Sequence, residues 1–238
     1  PLFLGLGCNV PGALSTRNLE TRKQRFIAAT LLGLAVPCTA KSAMIFGVLG
    51  SYGQWYVFLV FATLALVYLA AGLVLNKAVR GESPEIFLEI PPYRRPGVMV
   101  ILKKTWMRVR WFLAEAIPFL FLGVLLVNVL YTVGFMEWIA RIFSPFMEWW
   151  LAIPGEAVVA LLVGFFRKDL AVGMLLPLGL EAGQMVVATT VLSLYFPCVA
   201  TFAVMVKELG VMDTLRSAAV MAMTALMVGG AMRWALIR

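Results

Sequence analysis

The stretch "GLAVPCTAKSAM", Gly33–Met44, sets a proline, a cysteine and a lysine inside an apolar segment, Phe26 to Gly50, that is long enough to cross a membrane. Pro37 lacks a backbone donor and disfavours helical geometry at the residue before it, so two half-helices are predicted here rather than one helix. The arrangement returns at "LYFPCVATFAVM", Leu194–Met205, where Pro197 interrupts the apolar run Met185–Val206. Backbone groups freed at such breaks need a partner in hydrocarbon, because lipid tails offer none. A permeating cation is one such partner.

Composition fixes the setting. The 238 residues are 62% hydrophobic and 13% charged, with a mean hydropathy of +0.94. Soluble domains run at about 45–50% apolar and about 25% charged. Continuous runs such as "WYVFLVFATLALVYLAAGLVL" do not alternate as barrel strands do, so the expected fold is all-α, a polytopic transmembrane helical bundle embedded in the lipid bilayer. The formal charge of +8 sits in basic clusters flanking apolar spans, at Arg17, Arg22, Lys23 and Arg25 and again between Lys77 and Arg110. These read as cytoplasmic topology determinants, with anionic lipid head groups as a secondary ligand and no nucleic acid as partner. Three cysteines and no histidine exclude a disulfide framework and a four-cysteine zinc site. The chain begins at Pro1 with no initiator Met and no signal-peptide layout, and is expected to be the C-terminal portion of a longer protein.

Along the chain, Leu2–Leu6 is the stub of an apolar segment, and Trp55–Leu75 is an uncharged span. "PEIFLEIPPYRRP" cannot form one helix because of Pro91, Pro92 and Pro96. "GVMVILKKTWMRVRW" has the mixed character of a helix lying in the interface. Trp111–Tyr131 is a span carrying Glu115, Pro118 and Asn128. "MEWIARIFSPFMEWWLAIPG" is expected as interfacial or re-entrant pieces broken at Pro145 and Pro154. Glu156–Leu180 is apolar except for Arg167, Lys168 and Asp169, and Ser217–Trp234 is the last span. Charge counts leave open whether the "RKD" segment crosses or re-enters.

"PCTAKSAMIFGVLG" (Pro37–Gly50) aligns without gaps on "PCVATFAVMVKELG" (Pro197–Gly210). Interrupted spans in corresponding halves point to a transport site. Cys38 and Cys198 each follow a break proline, where composition alone puts a cysteine roughly one time in twenty, and Cys8 sits in a third break, "GCNVP". Membrane cysteine also packs as a small apolar residue. As ligands, thiols favour soft or borderline metals. Asn9, Thr39, Thr201 and freed carbonyls complete a mixed sulfur–oxygen set suited to passage of an ion such as Fe(II). Lys41, Glu115 and Asp169 are the intramembrane charges of interest, being costly unless used or paired.

Together "GLGCNVPGALSTRNLETRKQR", "PCTAKSA", "EIPPYRRP", "GFFRKDLAVG" and "YFPCVATFAVMVKELG" resemble, in order, the gate regions and linker of the ferrous iron transport protein B family. The resemblance implies a bundle with two gate-like pseudo-repeats containing Pro-broken helices. Residues 1–75 would be a first gate region, 76–110 a cytoplasmic linker with an interfacial helix, and 111–238 a second gate region with a final helix. It implies Fe(II) import across a bacterial or archaeal inner membrane, with Cys8, Cys38 and Cys198 as iron ligands. Lys41 falls where the family has arginine, and Asp169 where it has glutamate. The resemblance further implies a GTP-binding domain or a separate GTPase polypeptide as partner, small accessory proteins, and room for a homo-oligomer. No G-x-x-x-x-G-K-[ST] loop occurs in the chain, so GTP would act only through a domain absent from it. No nucleophile–base constellation is present, and the chain is read as a non-enzyme. The alternative is a nucleoside-recognition-like or spore-maturation-like gate protein without metal transport.

Overall fold

The computed structural model describes residues 2–79, 97–166 and 168–236. Among these every regular element is a helix, with α1 at Leu2–Gly7, α2 at Asn9–Leu14, α3 at Arg22–Leu34, α4 at Thr39–Leu49 and α5 at Gln54–Ala78. After residues 80–96 come α6 at Val98–Thr132, α7 at Phe135–Leu151, α8 at Gly155–Phe166, α9 at Lys168–Leu175, α10 at Ala182–Leu194, α11 at Val199–Leu209 and α12 at Val211–Leu236. Short 3-10 turns at Ser15–Asn18 and Leu176–Leu178 follow α2 and α9.

Four stretches are long and apolar enough to cross a bilayer among the described residues: Arg22–Leu49, Gln54–Ala78, Ala182–Leu209 and Val211–Leu236. Two of them are the proline-broken segments. In the first, Ala35 N–H still reaches Leu31 O at 3.1 Å, and the helix restarts where Ser42 N–H donates to Cys38 O at 2.9 Å. In the second, Tyr195 N–H donates to Val191 O at 2.8 Å and Phe202 N–H to Cys198 O at 2.9 Å. The unbroken α5 has 25 residues, about 37 Å at 1.5 Å per residue, which exceeds the ~30 Å hydrocarbon core. Its outward face, with Phe58, Leu66, Leu69 and Leu73 exposed, suits lipid contact. α10 is the central post: every residue from Met185 to Leu194 is buried, and it packs on α3, α4, α5, α8 and α12.

Two short helix pairs fold back on themselves. Cys8 is extended (φ −149°, ψ 133°) between α1 and α2, and a Cβ placed on Gly12 would lie 3.1 Å from Gly5 Cα. Residues seven apart in one straight helix stand about 10 Å apart, so α1 and α2 form a hairpin whose two glycines let the backbones touch. α8 and α9 pack likewise: a Cβ on Gly164 would meet Ala171 Cβ at 3.2 Å. In this second hairpin α8 ends at Phe166 and α9 begins at Lys168.

The ends of the bundle are tied separately. At one end Arg17 pairs with Glu208, and Asp213 receives Arg22 Nε at 2.9 Å and Arg216 Nη1 at 3.2 Å. At the other, Tyr52 Oη donates to Leu180 O at 3.0 Å and Gln184 Nε2 to Ala152 O at 2.9 Å.

Two segments differ from the sequence expectation. The stretch after Gly97, expected to lie in the interface, forms one unbroken 35-residue helix, α6, with the Trp111–Tyr131 segment read from sequence as a span, and Pro118 stays inside that helix. No helix-ending residue separates Val98 from Trp111, so nothing in the chain stops the helix between the two segments. Pro145 likewise remains inside α7 and does not break it. The break comes at Ala152, which takes a left-handed conformation (φ 54°) ahead of Pro154, and there α7 and α8 meet at 105°. The "EIPPYRRP" prolines and the side chains of Glu115 and Asp169 lie outside the described residues.

The hairpin contact predicts that Gly12→Leu destabilises the detergent-solubilised protein by about 1–3 kcal/mol, the usual cost of forced overpacking. Gly7→Ala, whose added methyl meets nothing within 4 Å, should leave the thermal unfolding midpoint within a degree or so of wild type. Equal midpoints for both variants would contradict the hairpin.

Candidate functional site

Each cysteine stands at the N-terminus of a helix: Cys8 before α2, Cys38 before α4 and Cys198 before α11. The break prolines put it there. Pro37 and Pro197 end the preceding helical ladder, and Cys38 (φ −75°, ψ 167°) and Cys198 (φ −62°, ψ 156°) take the extended geometry of a residue that opens the next helix. The positive end of a helix dipole at such a position favours an electron-rich group.

The three elements converge. All three thiols are free and half-buried, and Cys8 lies within electrostatic range of both Cys38 and Cys198. Cys8 and Cys198 flank one apolar cluster of Val10, Ala13, Ala200 and Val204 between α2 and α11. Thr39 Oγ1 donates to Gly7 O at 2.7 Å, tying the start of α4 to the hairpin tip. Thr201 Oγ1 lies 3.2 Å from Cys198 Sγ. Asn9 is buried, and its Oδ1 has no hydrogen-bond partner, which leaves a desolvated acceptor beside Cys8. Of the sequence candidates, Cys8, Asn9, Cys38, Thr39, Cys198 and Thr201 are thus brought to the paired breaks. Among the described residues no group of three or more His, Cys, Asp or Glu is arranged to hold a metal ion.

Two lysines complete the site. Lys41, 1% exposed, donates through Nζ to Gly33 O at 2.8 Å and Leu34 O at 3.2 Å. Those are C-terminal carbonyls of α3, which have no partner within the helix. Lys168, 5% exposed, donates to Leu192 O at 2.9 Å and contacts Ser193 O at 3.5 Å, at the C-terminus of α10. Both lysines are within electrostatic range of Cys38 and Cys198, and of each other. Sequence reasoning singled out Lys41 but passed over Lys168 in favour of its neighbour Asp169. The available signal was a lysine set between two apolar half-helices, "AVVALLVGFF" and "LAVGMLL", too far from either end to reach water easily. The buried Asp213, which receives Arg22 and Arg216, and the Thr30–Ser217 hydroxyl pair at 2.9 Å were also missed. Arg22 and Asp213 stand 191 residues apart in sequence, and Thr30 and Ser217 stand 187 apart.

Residues 113–212 match the gate family described as nucleoside recognition. Residues 57–108 match the family described as ferrous iron transport protein B C terminus. An Fe(2+) transporter FeoB from Methanocaldococcus jannaschii is 32% identical over 252 aligned residues, covering 88% of this chain and 37% of the relative. A FeoB from Staphylococcus aureus is 25% identical over 238 residues, covering 87% of this chain and 36% of the relative. One from Legionella pneumophila is 25% identical over 216 residues, covering 77% and 27%. The chain therefore spans about a third of the length of the curated relatives it matches. No solved structure matches it.

The link between Thr39 and the hairpin tip is checkable alone. Thr39→Val keeps the shape and removes the hydroxyl, so stability should fall by about 1 kcal/mol, the net worth of one hydrogen bond. Cys8 should also react faster with a maleimide as the tip loosens. Unchanged labelling of Cys8 in the folded variant would show that the bond does not hold the tip.

Proposed function

The chain belongs to the ferrous iron transport protein B family, and from that membership we propose that it is the permease portion of a ferrous iron transporter. Fe(II), the cargo, passes across the cytoplasmic membrane between two broken-helix gates. The chain is a multi-pass component of that membrane, and any GTP-binding domain lies outside these 238 residues. Coupling to GTP, through such a domain or a separate GTPase polypeptide, belongs to the proposal, as do accessory proteins and a homo-oligomer.

The observation that carries the reading is the convergence of three cysteines, each opening a helix, from three separate breaks. The order of elements supports it. A hairpin (α1/α2), a broken span (α3/α4) and a long helix (α5) are followed by a second such set, α8/α9, α10/α11 and α12. Both broken spans join 13 residues to 11. The hairpin of each set packs on the other set's broken span, α2 on α11 and α9 on α4. The first span begins, and the second ends, at the bundle end holding Arg22 and Asp213, so the two run in opposite directions. Paired breaks in inverted repeats form substrate sites near the bilayer midplane. In this reading residues 1–75 form the first gate, 76–110 the linker and 111–238 the second gate with its final helix. With Arg17–Arg25 cytoplasmic, the α8/α9 hairpin re-enters from the outer side and α12 runs outward.

The ion is handed among Cys8, Cys38 and Cys198. The Asn9 amide oxygen and the hydroxyls of Thr39 and Thr201 supply oxygen ligands. An open, mixed set of this kind suits conduction, which requires release as well as binding. Glu115 and Asp169 are retained as gate charges in the proposal.

One finding favours a second reading. The match of residues 113–212 to a nucleoside-recognition family fits a gate protein that handles nucleosides, with its cysteines packing rather than ligating.

Anaerobic Fe(II) uptake into proteoliposomes by the whole transporter tests the first reading. Wild type should accumulate Fe(II), and folded Cys38→Ser and Cys198→Ser variants should fall to the level of protein-free vesicles. Fe(II) should also slow alkylation of the three thiols, whereas adenosine or uridine should not. Undiminished uptake in both variants would remove the cysteines from the path. Nucleoside protection without uptake would install the second reading.

A further inference from the structure

We infer that Lys41 and Lys168 are fixed cations of the pathway: each occupies the carbonyl end of one broken span, and together they bar monovalent cations from the backbone oxygens that the breaks expose. The inference rests on the reading that cations pass between the two breaks.

A helix that ends in hydrocarbon leaves carbonyls with no intrahelical partner. Clustered carbonyl oxygens are also what sodium and potassium use in place of their hydration shells in channels and transporters. An open carbonyl end beside a cation path is therefore a monovalent-ion site unless something fills it. Here both ends are filled by an amine. Gly33, four residues before Pro37, gives its carbonyl to Lys41 at 2.8 Å, and Leu34 adds a second at 3.2 Å. Ser193, four residues before Pro197, has its carbonyl 3.5 Å from Lys168 Nζ, with Leu192 O nearer at 2.9 Å.

The two lysines reach this shared backbone position by different routes. Lys41 lies on α4, the continuation of its own span, and reaches back over the break. Lys168 lies at the start of α9, on the hairpin beside the second span, and reaches across to α10. In the gap-free alignment of the two breaks, Lys41 falls on Thr201, so Lys168 is not the repeat's copy of Lys41. The placement of an amine recurs although the sequence position does not. Simple ancestry of a repeated motif does not account for that; a requirement for positive charge at each carbonyl end does.

The arrangement sorts charge across each break. The C-terminal lip of α3 and of α10, the negative end of the helix dipole, holds a lysine. The N-terminal lip of α4 and of α11 presents a cysteine. A hard monovalent cation gains little from thiols and finds the carbonyls taken by groups of its own sign. A thiophilic divalent ion still has sulfur ligands. Lys41 and Lys168 are in this sense specificity-determining residues that act by occupying a competing site.

The test uses the whole transporter in proteoliposomes, as wild type and as the double variant Lys41→Gln/Lys168→Gln. Glutamine still offers an N–H to the same carbonyls, so the variant removes charge while keeping a donor. Radiolabelled sodium and rubidium fluxes are measured beside Fe(II) uptake, with and without propylammonium. Monovalent flux should rise about tenfold or more in the variant, the low end of what one sign of charge in a cleft does to local ion concentration. Propylammonium, which returns an ammonium group to the vacated carbonyls, should suppress that flux. Wild-type monovalent flux in the folded double variant would overturn the inference, and with wild-type Fe(II) uptake present the transport reading would stand without it. A leak that propylammonium leaves untouched would be loosened packing and would overturn it equally. A suppressible leak in a protein whose wild type carries no Fe(II) would uphold the lysines' role while removing the ferrous reading. Should the double variant not fold, Lys41→Gln and Lys168→Gln singly are read in the same way.

Discussion

Every unusual feature of this bundle follows from one constraint: a helix that stops inside hydrocarbon must have its terminal carbonyls and amides satisfied by protein or by cargo. Pro37 and Pro197 stop α3 and α10 and leave carbonyl ends in the buried interior. The remedy at each is a lysine nitrogen. An isolated charge in the bilayer core is expensive, and an isolated carbonyl end costs several kcal/mol per group. Placed against each other, the two liabilities offset. That pairing explains how a chain with so few charges keeps two lysines almost wholly buried beside its breaks.

Much of the fold was legible because the same constraint writes itself into sequence. Proline inside an apolar run suggests an interrupted span, and Pro37 lies between the end of α3 at Leu34 and the start of α4 at Thr39, as Pro197 lies between Leu194 and Val199. The uninterrupted apolar run in α5 is a span of the predicted kind. Where local chemistry was ambiguous, sequence reading was weaker. Leu2–Leu6 was only a stub, because five apolar residues do not announce a hairpin, and the Gly5–Gly12 contact that makes one depends on folding back. Pro145 and Pro118 look like breakers in sequence, yet each sits inside a helix; a bundle can re-satisfy the single carbonyl that one proline frees.

The candidate site divides in the same way. Cys38 and Cys198 were legible from their prolines, and Cys8 from its "GCNVP" break. The lone acceptor on Asn9 and the Thr39–Gly7 bond were not, since hydrogen-bond satisfaction is a property of three-dimensional neighbours. Lys168 was the main omission. Within "RKD" an acid beside two bases suggests a local pair of Asp169 with Arg167 or Lys168 in a hydrated turn. Only the position of α10 against the hairpin turns Lys168 into the partner of carbonyls some twenty-five residues away. Long-range ion pairs such as Arg22–Asp213 leave no local trace for the same reason.

Under the two-gate reading, the differences between the halves carry as much information as the likenesses. Gly5 and Gly164 each face a leucine, Leu32 and Leu192, that lies five residues before a break proline, which sets the two hairpins in register. Counting four residues on from those glycines places Asn9 opposite Lys168, just as the breaks place Lys41 opposite Thr201. Each half thus keeps one lysine and one neutral polar residue, in exchanged positions. Two lysines in one half would crowd two ammonium groups onto one carbonyl end, and none would leave that end open. One per half satisfies both ends. It also frees the remaining pair of positions for Asn9, whose oxygen stays without a partner, and for Thr201, which rests against the Cys198 sulfur. In this reading the exchange lets each half plug its own carbonyl end and still keep one neutral polar side chain beside a break.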